Sequence, residues 1–115
     1  MAQTGHYHFR GRRFSTYRWD NGVDGQEIYH HEGYADPKFQ VYDPGASPQF
    51  AAGQGLSWEC YWENPTDNNF KFGPFTDINE HCNWFGFYYP TESVNESITC
   101  VKSGGVSVTT VRHGQ

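Results

Sequence analysis

A chain of 115 residues can bury one core and is too short for two. Its net charge of −5, from eight Lys and Arg against 13 Asp and Glu, argues against a nucleic-acid partner, because no basic stripe offsets phosphate repulsion. No apolar run approaches membrane-spanning length, and the apolar content of 36% is half aromatic, so large rings rather than Leu or Ile must fill the core.

Thirteen Gly and six Pro cut the chain into short segments, which favours strands over helices. "MAQTG" has no hydrophobic h-region, so the expectation is a mature or trimmed chain without a signal peptide. "HYHFRGRRFSTYRW" alternates well enough for one or two strands and runs into the turn "DNGVDG". Within it, "RGRRF" is the only basic cluster and reads as a solvated strand edge. "EIYHHEGYADPKFQVYDPG" offers two short β-like pieces around an Asp36-Pro37 turn, and "ASPQFAAGQG" reads as a loop.

"LSWECYWE" carries the clearest pattern. Leu56, Trp58, Cys60 and Trp62 fall on one face, with Ser57, Glu59, Tyr61 and Glu63 on the other, as on a half-buried strand with Cys60 turned inward. "NPTDNN" is a tight turn, and "FKFGPF" puts Phe70 and Phe72 on one side. "CNWFGFYY" is strongly β-prone, with Gly86 marking a bulge or a close approach. "NES" at Asn95 to Ser97 is a formal glycosylation sequon, which matters only in a eukaryotic secretory host. "SITCVK" and "VSVTTV" make a final hairpin across "SGG". The expectation is a single all-β domain over residues 1–115, an antiparallel β-sandwich of jelly-roll type with seven to nine short strands.

Three cysteines leave two readings open. In a reducing compartment they are three buried thiols; in a secreted or periplasmic protein Cys60 and Cys82 would pair, leaving Cys100 over. Closing a loop of that length is worth about 3 kcal/mol in the chain-entropy treatment.

Of the six histidines, His6 and His8 stand at i and i+2, so on a strand both rings leave the same face and form half of a site for Cu, Zn or Ni. His81 would complete it if a Cys60–Cys82 bridge fixes the neighbouring backbone. The alternative is exposed strand histidines and a polar loop residue. His30 and His31 are adjacent, face opposite ways on a strand, and read as surface residues; His113 lies apart from all of these.

The run "LSWECYWENPTDNNFKFGPFTDINEHCNWFGFYYP" resembles the C-terminal domain of the type II, ascorbate-dependent copper monooxygenases, which include the peptidylglycine α-hydroxylating and dopamine β-hydroxylating enzymes. Cys60, Phe72-Gly73, Thr76, Glu80, Cys82, Asn83 and Tyr88-Tyr89-Pro90 match that family's order of elements, and His6 and His8 match its early His-x-His. The resemblance extends from about residue 6 to 101. It implies a jelly-roll-like sandwich holding one copper ion, with His6, His8 and position 81 as ligands and Cys60–Cys82 as the internal disulfide. It also implies that Cys100 pairs with a cysteine upstream of Met1; the Gly-rich loops, the absence of Lys-rich helices and the setting of Cys60 and Cys82 separately point to a secreted or periplasmic protein.

Two departures bear on mechanism. Position 81 is His where the family has Met, and imidazole binds more firmly than a soft thioether and suits Cu(II) and Zn as well, so zinc is a candidate substitute. The family's N-terminal copper domain, which delivers electrons, is missing, so the chain is expected to need such a domain or another redox partner on a separate chain and not to turn over alone. The family's carboxylate-binding Arg and Tyr match Thr4 and Phe85 here, and Asn83 matches, which argues against an anionic peptide terminus and leaves the small-molecule substrate unread. Three readings follow: an oxygen-activating copper domain, a metal-binding module without oxygenation, and a secreted structural sandwich with incidental histidines.

Overall fold

The computed structural model describes residues 1–33, 36–88, 96–102 and 108–114, with the side chains of the last two stretches left aside. Among them all regular structure is strand, in ten pieces: β1 (Ala2–His6), β2 (Gly11–Asp20), β3 (Val23–Glu32), β4 (Gln40–Val41), β5 (Gln54–Trp62), β6 (Lys71–Phe72), β7 (Asn79–Glu80), β8 (Asn83–Phe87), β9 (Glu96–Lys102) and β10 (Val108–Gly114). That exceeds the expected seven to nine because β4, β6 and β7 are two-residue pairings, too short to leave a pattern in the sequence. Among the described residues no helix is long and apolar enough to cross a membrane.

Two antiparallel three-stranded sheets, ordered β4-β1-β8 and β3-β2-β5, face one another. The β2–β3 hairpin turns at Asn21-Gly22, where φ is 46° and 96°, the left-handed region that Asn and Gly tolerate and that matches the twist of a hairpin. β9 and β10 pair as the expected hairpin, in continuous register from Val108↔Lys102 to Gly114↔Glu96. The small β6–β7 pair is parallel.

The core is aromatic, as composition requires. Tyr7, Phe14 and Tyr29 are buried, with Trp58, Trp84, Cys60 and Cys82 packed against them. Phe14 is fully buried and lies where a side chain at Gly5 would have to go; a Cβ there would stand 2.5 Å from the ring, so Gly5 is what lets the two sheets approach. Trp58 and Trp84 stack across the sheets with centroids 6.2 Å apart. A buried polar network spans the same gap: the Gln3 Oε1 accepts from Trp84 Nε1 at 2.9 Å and from the Thr16 hydroxyl at 3.1 Å. Gln3 is fully buried, and these bonds are what make that tolerable.

Several expectations hold in detail. On β5, Trp58 and Cys60 pack inward while Glu59 and Tyr61 are exposed. Trp62 belongs to the inward set by alternation but is 37% exposed, because it sits at the strand end beside the register irregularity between Gly11 and Arg13. Gly86 is a close approach rather than a bulge: its register with Gln3 is regular, and an added Cβ would meet the Trp84 ring at 2.4 Å. The basic cluster is not a solvated edge. Arg10 is 5% exposed, and Arg12 and Arg13 lie on β2, the central strand of its sheet. Asp36 and Pro37, expected as a turn, lie in an irregular stretch, and Tyr34, Ala35, Asn95 of the sequon, Tyr89-Pro90 and the Cys100 side chain lie outside what is described.

Cys60 and Cys82 form a disulfide across 22 residues of sequence, with Cα atoms 5.8 Å apart. It ties β5 to the residue before β8 and so joins the two sheets. Replacing both cysteines by Ala should lower unfolding free energy by about 3 kcal/mol, read as a drop in the urea midpoint; the reduced wild type should shift alike.

Candidate metal centre

β1 ends at His6, and residues 7–10 form a tight link into β2, closed by the Gly11 amide bonding the His8 carbonyl at 2.8 Å. The two histidines therefore do not share one strand, and the i, i+2 argument covers only the first. Their rings still meet, with centroids 5.6 Å apart. His81 sits just before β8 and comes within 4.8 Å of His6 and 4.1 Å of His8, centroid to centroid. Residues more than 70 positions apart in the chain thus converge on one point. The ligand atoms that the three rings offer lie within 4.8 Å of one another. Two nitrogens on one ion at about 2.1 Å each stand at most about 4.2 Å apart, so small ring rotations suffice to close the set.

Each Nδ1 is already engaged. His6 Nδ1 bonds Asp36 Oδ1 at 3.0 Å, His8 Nδ1 the Asn79 carbonyl at 2.8 Å, and His81 Nδ1 the Gly73 carbonyl at 3.2 Å. A carbonyl can only accept, so His8 and His81 carry a proton on Nδ1, and in the neutral ring the bare lone pair is then at Nε2. The His81 Nε2 is buried and has no hydrogen-bond partner. A buried acceptor left unsatisfied costs on the order of 1–3 kcal/mol, and a metal ion is the group that would satisfy it. Burial pushes the His81 ring below the ordinary imidazole value, and repulsion from His8 and His6 adds to it, which favours the neutral, ligating form.

Access differs around the site. His8 is 4% exposed, whereas the His6 side chain is 36% exposed, so the open approach lies on the His6 side. On β1 and β8, His6 pairs with Asn83 and Thr4 with Phe85, which puts these four side chains on the outer face of that sheet. Phe85 is exposed there, and the Thr4 hydroxyl donates to the Pro37 carbonyl at 2.7 Å. The ring of Phe72, itself exposed, stands 6.1 Å from that of His81.

His30 and His31 stay away from this centre. Their registers with Ser15 and Phe14 turn them to opposite faces of β3, and His30 bonds the exposed Glu27 and the buried Ser15. Sequence reasoning named Asp36 as part of a turn, Arg10 as part of a solvated edge and Glu80 as a family match, and missed that all three bond the histidine segments. Arg10 follows His8 by two positions and Glu80 immediately precedes His81, so adjacency to the candidate ligands was the available signal.

Residues 1–111 match the copper type II ascorbate-dependent monooxygenase, C-terminal domain. The chain belongs to that family. A human protein named putative DBH-like monooxygenase protein 2 is 27% identical over 90 residues, covering 78% of this chain and 18% of that protein. The chain therefore spans less than a fifth of the relative's length. No solved structure matches the chain.

The lowered His81 value fixes the sign of a pH effect. Below about 6.5, the ordinary value, the unfolded chain takes up a proton that the folded ring resists, so stability is full above that pH and falls as pH drops through the window beneath it. Thermal melts of the metal-free protein should therefore show a midpoint declining below about pH 6.5, with a shallower decline in His81→Gln.

Proposed function

We propose that this domain holds one copper ion on His6, His8 and His81 and is the oxygen-activating part of a monooxygenase. The observation carrying this is the buried, unpartnered Nε2 of His81, on a ring clustered with two further imidazoles whose Nδ1 atoms are occupied. Copper, when bound, supplies the one-electron chemistry toward O2. The chain's own residues do the rest: Asp36 and the two carbonyls orient the rings, burial keeps His81 neutral, and the half-exposed His6 leaves an approach open.

Thr4 and Phe85, opposite one another beside the His6–Asn83 pair, carry no charge. That floor favours an uncharged substrate over an anionic peptide terminus. Electrons would come from a separate copper domain or another redox partner, as the family's two-domain members require. The Cys60–Cys82 bond fits an oxidising compartment, secreted or periplasmic.

A second reading is favoured by one observation. With His rather than Met at position 81, the donor set is all nitrogen, which holds Cu(II) and Zn as readily as Cu(I) and lowers selectivity for redox work. On that reading the domain binds metal without oxygenation.

Titration of metal-free protein with Cu(II) should give one equivalent bound, with nitrogen hyperfine structure in the EPR spectrum. His81→Ala should weaken binding by about 100-fold or more, beyond what loss of an outer partner costs, while His30→Ala should leave it unchanged. No stoichiometric uptake, unaltered by His81→Ala, would leave only a structural role. Uptake without O2 consumption or peroxide from the ascorbate-reduced protein would select the binding module.

A further inference from the structure

Arg10 is 5% exposed, and every hydrogen bond from its side chain goes to one place, the turn that delivers His81. Its guanidinium lies 3.4 Å from the Phe70 ring centroid and 4.1 Å from that of Phe9. One terminal nitrogen donates to the Asp77 carbonyl at 2.8 Å; the other reaches Glu80 Oε1 at 3.2 Å and the Thr76 carbonyl at 3.5 Å. Glu80 Oε2 accepts the backbone N–H of His8 at 3.2 Å. A single ion pair therefore touches both ligand-bearing segments, two residues after His8 and one residue before His81.

Stability alone is a weak reason for such a pair. Burying two charges costs desolvation that their attraction only offsets when the geometry is good, and an apolar pair of similar volume would often do as well. What an apolar side chain cannot do is grip carbonyls. The planar fork of Arg fixes distance and direction at once, and the two flanking rings hold its plane. Apolar packing does little to hold the turn it grips, since β6 and β7 are two residues each and Phe72, Phe75 and Ile78 are exposed; the turn's other ties are its own Asn79–Phe75 bonds and His8 Nδ1 on the Asn79 carbonyl.

We propose that Arg10, acting through Glu80, is a positioning residue: it holds the 76–80 turn against the His8 backbone and so sets His81 beside the His6–His8 pair before any metal arrives. The use of this arrangement rests on the copper reading above; the arrangement itself does not.

Arg10→Lys tests it, keeping the charge and losing the fork. In the metal-free protein, NMR should show wild-type contacts between the His8 and His81 ring protons and slow exchange of the His8 amide. The variant should lose both while the remaining spectrum and the thermal midpoint stay close to the parent's. Loaded with Cu(II), it should bind about 10–100-fold more weakly, with altered hyperfine splitting. A control, Arg13→Met on β2, should change neither. A folded Arg10→Lys protein with ring contacts, affinity and splitting all unchanged overturns the proposal. If that variant does not fold, Glu80→Gln, which keeps shape and loses charge, is read the same way. A parent protein that takes up no copper defeats the copper reading, and the metal-free ring contacts and amide exchange still decide the positioning role.

Discussion

The bond between Cys60 and Cys82 ties the candidate centre to the sandwich. Cys60 packs against the aromatic core from β5, and Cys82 stands between His81 and Asn83, the residue that pairs with His6. The Trp58 indole N–H, donating to the Cys82 carbonyl at 3.2 Å, adds a second tie at the same point. A covalent link therefore runs from the core strand to the third imidazole, and a ladder pairing runs on from there to the first. The segment before it, with two-residue strands and exposed apolar side chains, could not hold a ring in place by packing alone.

Polar bonding then refines what the covalent link makes available. Each imidazole spends one nitrogen on an acceptor supplied by a different part of the chain: Asp36 before β4, Asn79 on β7 and Gly73 after β6. The acceptors fix tautomers, and fixed tautomers aim lone pairs. Tight packing around Gly73, where an added Cβ would stand 2.4 Å from the Asn79 side chain, keeps two of these acceptors in a single arrangement. The energetic cost of leaving the His81 Nε2 bare is accepted by the fold, and such local costs are characteristic of functional sites.

Much of the architecture was legible because it follows from period-two patterning and turn chemistry. The alternation in "LSWECYWE" placed Trp58 and Cys60 inside, "DNGVDG" marked a turn that the structure narrows to Asn21-Gly22, and the last two strands paired as read. The candidate centre was legible in part. Its three histidines were singled out, but the strand argument offered for His6 and His8 fails at His8, which lies beyond the end of β1. Arg10 was misread because a run of basic residues resembles a solvated edge unless the carbonyls that would surround one of them are known. Those carbonyls lie 66 and 67 residues away, and the Glu80 carboxylate 70, and no local pattern encodes them.

By itself the sequence determined the all-β class, the aromatic core, the pairing candidates among its cysteines and the residue types able to hold a metal, because each depends on composition or on neighbours within a few positions. Only the tertiary structure decided that the rings meet, which nitrogen of each is free, and that a buried guanidinium braces the turn between them. Those facts depend on long-range register and on backbone groups whose chemistry is the same at every residue, so they acquire meaning only once the sheets have come together.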